Sequence, residues 1–69
     1  MSVAKVIEIL AEGESIEKAI ESAVAEAGRS VRNIRSAYVN DMQAIVRDGK
    51  VKKYRVNVKV SFVVAEDED

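Results

Sequence analysis

The sequence has no cysteine, histidine, proline or tryptophan, and only two tyrosines, one phenylalanine and three glycines. Without cysteine there is no disulfide and no thiolate metal site. Without histidine the commonest general base, proton switch and transition-metal ligand is missing. Catalysis would then need a lysine, tyrosine or carboxylate of strongly shifted acidity, and no pair in the chain is spaced to suggest one. The absence of proline suits long uninterrupted elements. No apolar run approaches the roughly 18 residues of a membrane span, and the N-terminus lacks a signal-peptide layout. Eleven Lys+Arg against twelve Asp+Glu give a formal net charge of −1. That balance lacks the basic excess of a nucleic-acid binder. These exclusions leave a soluble, cytoplasmic, non-enzymatic protein as the expectation.

Sixty-nine residues make one small domain. A chain of this length buries only about 60% of its unfolded surface, so its core is marginal. Small folds are supported by disulfides, a structural metal or oligomerisation. With cysteine and histidine absent, oligomerisation is the support expected.

Val3-Ala4-Lys5-Val6-Ile7-Glu8-Ile9-Leu10 is rich in β-branched residues and ends at Glu12-Gly13, which predicts a first strand. Its two faces are both largely apolar, as in a strand covered on both sides. Ser15 is placed to cap a helix, with Glu17 at the positive end of the dipole. Ile16, Ala19, Ile20, Ala23, Val24 and Ala27 then recur at helical spacing, and the helix should end near Arg29. The stripe is narrow and alanine-rich, so the helix should lie close to a sheet.

From Ile34 the pattern returns to strand. Asp48-Gly49 is a two-residue hairpin signal, because primed turns need positive φ. Beyond it Tyr54, Val56, Val58, Val60, Phe62 and Val64 alternate with Lys53, Arg55, Asn57, Lys59, Ser61 and Val63. With Arg47 opposite Lys50, paired positions sum to 97. One face then holds Ala37, Val39 and Ile45 with the Tyr54-to-Val64 stripe and should cover the helix. The other holds Ser36, Tyr38, Asn40 and Met42 with Lys53, Arg55, Asn57 and Lys59. A strand from Val51 to Val64 spans roughly 46 Å, whereas the helix spans about 21 Å. The hairpin must curl round its helix or find cover on another copy. A three-stranded sheet with open edges also invites pairing with copies of itself.

The order strand, helix, long hairpin resembles the dodecin family over essentially the whole chain to Val64. The resemblance lies in Lys5-Val6-Ile7-Glu8-Ile9, in Ser15-Ile16-Glu17-Lys18-Ala19-Ile20, in Ala27 to Ile34, and in the run from Lys53 to Phe62. It implies an α+β fold of β-α-β-β order, with a three-stranded antiparallel sheet curled around one helix. It also implies assembly into a hollow homododecamer, with a dodecin-like domain over 1–64 and an acidic disordered tail over 65–69. Several members of that family store flavin without turning it over. In those, a tryptophan on strand two stacks on the ring and a glutamine on strand three hydrogen-bonds it.

The positions aligned with that pair are Ser36 and Arg55, and the Gly-Thr usual after strand one is Ala11-Glu12 here. The same two changes resemble a branch not thought to hold flavin, one member of which binds calcium. The expected function is therefore a shell that binds, stores or buffers a small ligand. Arg55, Ser36 and Tyr38 are the candidate contacts, and Lys53 or Lys59 would meet any anionic portion. FMN or riboflavin is the family-type ligand, although Ser36 has no π surface to stack on it. The alternative is a structural or metal-binding shell occupied by a divalent cation such as calcium. Its candidate oxygen ligands are Asn40, Asp41, Asp48 and the tail acids, which lack the Asp-x-Asp-x-Asp-Gly order of a calcium loop. The Lys53, Arg55, Lys59 stripe carries too few charges and aromatics for single-stranded nucleic acid.

Overall fold

Alternation, the cap and the turn signal divide the chain into three strands and a helix. The computed structural model, which describes residues 2–66, contains β1 (Ser2–Gly13), α1 (Ile16–Gly28), β2 (Ile34–Arg47) and β3 (Lys50–Glu66). The strands form one sheet in the order β1-β3-β2, with β3 antiparallel to both neighbours. The last strand of the chain is thus the middle strand of the sheet. That position explains its clean period of two: one face lies under the helix and the other faces away. β3 runs to Glu66, two residues beyond the expected domain end at Val64, and the remaining acidic tail, 67–69, lies outside the described residues.

The helix begins as its residues direct. The Lys18 amide donates to Ser15 Oγ at 3.1 Å, and Glu17 occupies the first turn. Arg29 is the C-cap, and the Val31 amide closes onto the Ala27 carbonyl at 3.0 Å. Asn33 then takes φ 61°, a left-handed conformation that asparagine tolerates, and its carbonyl accepts from the Val63 amide. Ala19, Ala23 and Ala27 are at most 1% exposed and pack with Val56, Val58 and Val60, each fully buried. Ile7, Ile9, Ala11, Ile16, Ile20, Ile34, Ala37 and Val39 surround this core. Alanine at every fourth position lets the helix backbone approach the sheet. Gly13 is part of the same fit, because a Cβ there would lie 2.6 Å from the Ala19 amide nitrogen.

Asp48 and Gly49 both have positive φ, 54° and 75°, as the two-residue primed turn requires. Arg47 pairs with Lys50 and Val46 with Val51, so the sum of 97 holds at the turn and again from Ser36 to Val39. Between these stretches the register is shifted by one. Lys52 is an extra residue on β3 and Asn40 an extra residue on β2, and the pairs between them sum to 98. Because side chains alternate, a one-residue shift exchanges the faces. Met42 and Ala44 therefore share the helix side with Val56 and Tyr54. Ile45 pairs with Lys53 and Gln43 with Arg55 on the outer side. The expected placement of Ile45 over the helix and of Met42 on the opposite face is corrected by these two compensating bulges.

The molecule measures 56 × 19 × 14 Å, while a 13-residue helix spans only about 20 Å. The hairpin overhangs its helix, and Val46 and Val51 beside the turn are exposed. On β1, Ile7, Ile9 and Ala11 pack toward the core, whereas Val6 and Leu10 on the other face are 58% and 64% exposed. No helix among the described residues is long and apolar enough to cross a membrane.

Gly13→Ala should destabilise the subunit by about 1–3 kcal/mol through overpacking against the helix backbone. Gly28→Ala, where the added Cβ meets nothing within 4 Å, should be neutral or stabilising by up to about 1 kcal/mol. Urea midpoints of the two variants check the contrast, and equal effects would remove the role assigned to Gly13.

Candidate functional site

Register carries Arg55 to the outer face of the middle strand, with Glu12 directly opposite on β1 and Gln43 directly opposite on β2. Paired side chains on one face are close enough to touch. Arg55 Nε donates to Glu12 Oε2 at 2.8 Å, and its NH2 nitrogen reaches the same oxygen at 2.7 Å. Its NH1 nitrogen donates to Gln43 Oε1 at 3.3 Å. Lys53, two residues along the same face, meets Glu12 Oε1 at 2.7 Å. One carboxylate is therefore held between an ammonium and a guanidinium, and the guanidinium ties all three strands together.

All three ionic side chains are about one-third to one-half exposed. Exposed single pairs contribute roughly 0–1 kcal/mol. Charge-assisted, directional contacts shared among several groups are stronger than isolated ones. Lys53 and then Arg55 hydrogen-bond the ionised form of Glu12 and hold its carboxyl below the ordinary 4.5, although partial desolvation opposes them.

The three sequence-predicted contacts share the outer face but do not converge within one subunit. Ser36 pairs with Ser61 in the sheet, and the two hydroxyls are hydrogen-bonded to each other. Tyr38 lies opposite Lys59 and is 66% exposed. Along β3 the step from Arg55 to Lys59 is four residues, about 13 Å, and to Ser61 six residues, about 20 Å. A single small molecule on one subunit spans Arg55 to Tyr38 only if it is extended, and does not reach Ser36 as well.

Between these positions lies Asn57, half-buried, whose side-chain oxygen Oδ1 has no hydrogen-bond partner. It pairs with Leu10 on one side and Asp41 on the other. A shielded acceptor without a donor costs about 1–3 kcal/mol unless something supplies one. The candidate oxygen ligands for a cation are dispersed: Asn40 is a bulge residue, Asp41 follows it, and Asp48 is in the turn. Among the described residues no group of three or more acidic side chains is arranged to hold a metal ion.

Sequence reasoning missed Glu12, Gln43 and the exceptional position of Asn57. Gln43 lay within its reach, because the Lys52 bulge alone decides whether it faces Arg55. Glu12 did not, because β1 meets β3 across the whole chain with no turn to fix the register.

The Dodecin family profile matches residues 3–65. An arginine-to-alanine variant of the Thermus thermophilus dodecin superposes with a TM-score of 0.86 at 28% identity, covering 96% of this chain and 100% of that one. The dodecin from Streptomyces davaonensis gives 0.85 at 23% identity, with 94% and 97% covered. That from Streptomyces coelicolor gives 0.85 at 22%, with 96% of each chain covered. The two Streptomyces likenesses speak for the fold. No curated protein matches the sequence.

The Glu12 cluster has a pH signature. Its carboxyl is more acidic in the folded chain, so the stabilisation it gives is complete above about 4.5 and is lost as pH falls through the folded value. Melting temperature measured from pH 6 down to pH 3 should fall less steeply for Glu12→Gln than for the native chain. Parallel curves would mean that the pairs do not contribute.

Proposed function

The chain belongs to the dodecin family, and from that premise we propose that it is a non-enzymatic subunit of a closed homo-oligomeric shell, twelve copies on the family pattern, that holds a small ligand between subunits. The carrying observation is the outer face of the sheet, which leaves Val6, Leu10 and Tyr38 exposed beside polar groups. Exposed apolar side chains on one face, together with two open strand edges, are features that assembly covers. The small core points the same way, since among the described residues its buried apolar side chains are Ala19, Ala23, Ala27, Val56, Val58, Val60 and Phe62.

Arg55, Tyr38 and Ser36 are the proposed ligand contacts, contributed by different copies, because one subunit keeps Arg55 and Ser36 about 20 Å apart along its strand. Ser36 has no π surface, so the ligand is not held by the family's aromatic stacking on strand two. The non-enzymatic reading is supported by the side-chain inventory, which holds no histidine or cysteine and no pair of lysine, tyrosine or carboxylate groups spaced for general acid–base work. The lack of a membrane-crossing helix among the described residues is compatible with a cytoplasmic location.

Native mass spectrometry should give a particle near twelve times the 7.6 kDa subunit, and a monomer or dimer would overturn the shell. The purified protein should be colourless and leave riboflavin and FMN fluorescence unquenched at micromolar levels. Ser36→Trp combined with Arg55→Gln should create quenching. Strong quenching by the native chain would restore stacked flavin as its ligand, and no gain in the double variant would place the ligand surface elsewhere.

A further inference from the structure

We infer that Lys53 and Arg55 form an anion-binding site which the chain fills with its own Glu12 carboxylate, making Glu12 the residue that excludes anionic ligands from this face. The inference deepens the ligand-binding reading of Arg55, on which it rests, by assigning the ligand's charge class: neutral and donor-bearing, not phosphorylated or carboxylated.

The geometry is that of an occupied site. An ammonium and a guanidinium converge on one carboxylate, Lys53 on Oε1 at 2.7 Å and Arg55 on Oε2 at 2.7 and 2.8 Å. A guanidinium presenting two N–H groups to one anion is the arrangement that recognises carboxylates and phosphates. The carboxylate comes from the neighbouring strand and needs no conformational change to remain there, so it acts at a high effective concentration. An incoming anion must displace it and leave Glu12 as a second negative charge beside the ligand.

The surroundings add acceptors. Gln43 turns its carbonyl oxygen toward Arg55. Asn57, on the same face of the same strand, has an oxygen shielded from water with no donor. Two side-chain oxygens, and two cations whose hydrogen-bonding groups are already turned onto Glu12, favour a group that brings N–H or O–H. An anionic oxygen would meet Asn57 with repulsion and find Lys53 and Arg55 already engaged.

The test uses inorganic pyrophosphate as the anion, on the assembled protein, with binding read by phosphorus NMR line broadening. Glu12→Gln is nearly isosteric, keeps an oxygen for Arg55 and removes the charge. It should bind pyrophosphate about tenfold or more tightly than the native chain, the gain expected from releasing two charge-assisted contacts. Adding Arg55→Gln to Glu12→Gln should return binding to the native level.

The inference is overturned if native protein and Glu12→Gln bind alike, or if the gain survives loss of Arg55. Should Glu12→Gln lose its circular-dichroism signal, Glu12→Asp carries the test. Its carboxylate is one methylene short of the cations, so an intermediate gain is expected, and none overturns the inference. Native mass spectrometry of the same samples reports on the shell separately. A failure of assembly is thereby distinguished from a failure of anion exclusion.

Discussion

One helix of 13 residues has to cover a sheet whose longest strand has 17. At about 1.5 Å per helical residue and 3.3 Å per strand residue, roughly 20 Å of cover meets roughly 56 Å of strand. Most other features are responses to that mismatch. Where helix and sheet do meet, contact is made as close as a backbone allows, with Ala19, Ala23 and Ala27 against Val56, Val58 and Val60 and with Gly13 clearing the first turn. Small side chains give intimate packing but little buried area per residue, which keeps the core modest. Beyond the helix the hairpin carries apolar side chains with nothing of its own chain over them, Val46 and Val51 among them. The same shortage of cover that limits the lone subunit provides the surface for assembly.

How far this was legible in the sequence depends on the range of the interaction. The helix was readable because its cap, its stripe and its end are local. The turn was readable because only a residue tolerant of positive φ fits after Asp48. Val56, Val58 and Val60 could be assigned to the core because a middle strand shows its alternation undiluted. The pairing of β2 was read correctly beside the turn and from Ser36 to Val39. Its faces were read correctly only from Ser36 to Val39, because the extra residue on β2 is Asn40 and everything from there to the turn is reversed. A bulge costs one residue and leaves no compositional mark here: Asn40 and Lys52 are as ordinary in an outer stripe as in a bulge. Between them Met42 and Ile45 exchanged sides, although both are apolar and either placement satisfied the pattern.

The candidate site shows the same division more sharply. Ser36, Tyr38 and Arg55 were placed on the outer face by parity, and they lie there, the first two outside the shifted segment and Arg55 on β3 itself. What parity could not supply was the partner of each. Glu12 became visible only when the β1–β3 register was known, and that register joins residues 43 apart in sequence. Such a contact is fixed by the way the whole sheet closes, so no local signal announces it. Asn57 is a related case, since its residue type is ordinary but the oxygen is shielded by what lies across two strands.

The two corrections bear on one another. The segment between the bulges, Asp41 to Ile45, is the part of β2 that faces Arg55 and Lys53. Had the register remained at 97, Met42 would have stood across from Arg55, and the guanidinium would have had a thioether where it now has an amide oxygen. The shift turns Met42 toward Tyr54 and Ile16 and brings Gln43 to the outer face. A one-residue insertion thus moves Met42 to the helix side, where it stays 60% exposed, and a polar side chain to where the charge cluster needs an acceptor. Restoring the frame at the second bulge keeps the Asp48-Gly49 turn in its two-residue form. Paired bulges can change the chemistry of a short stretch of one face without altering the turn that sets the register of the hairpin.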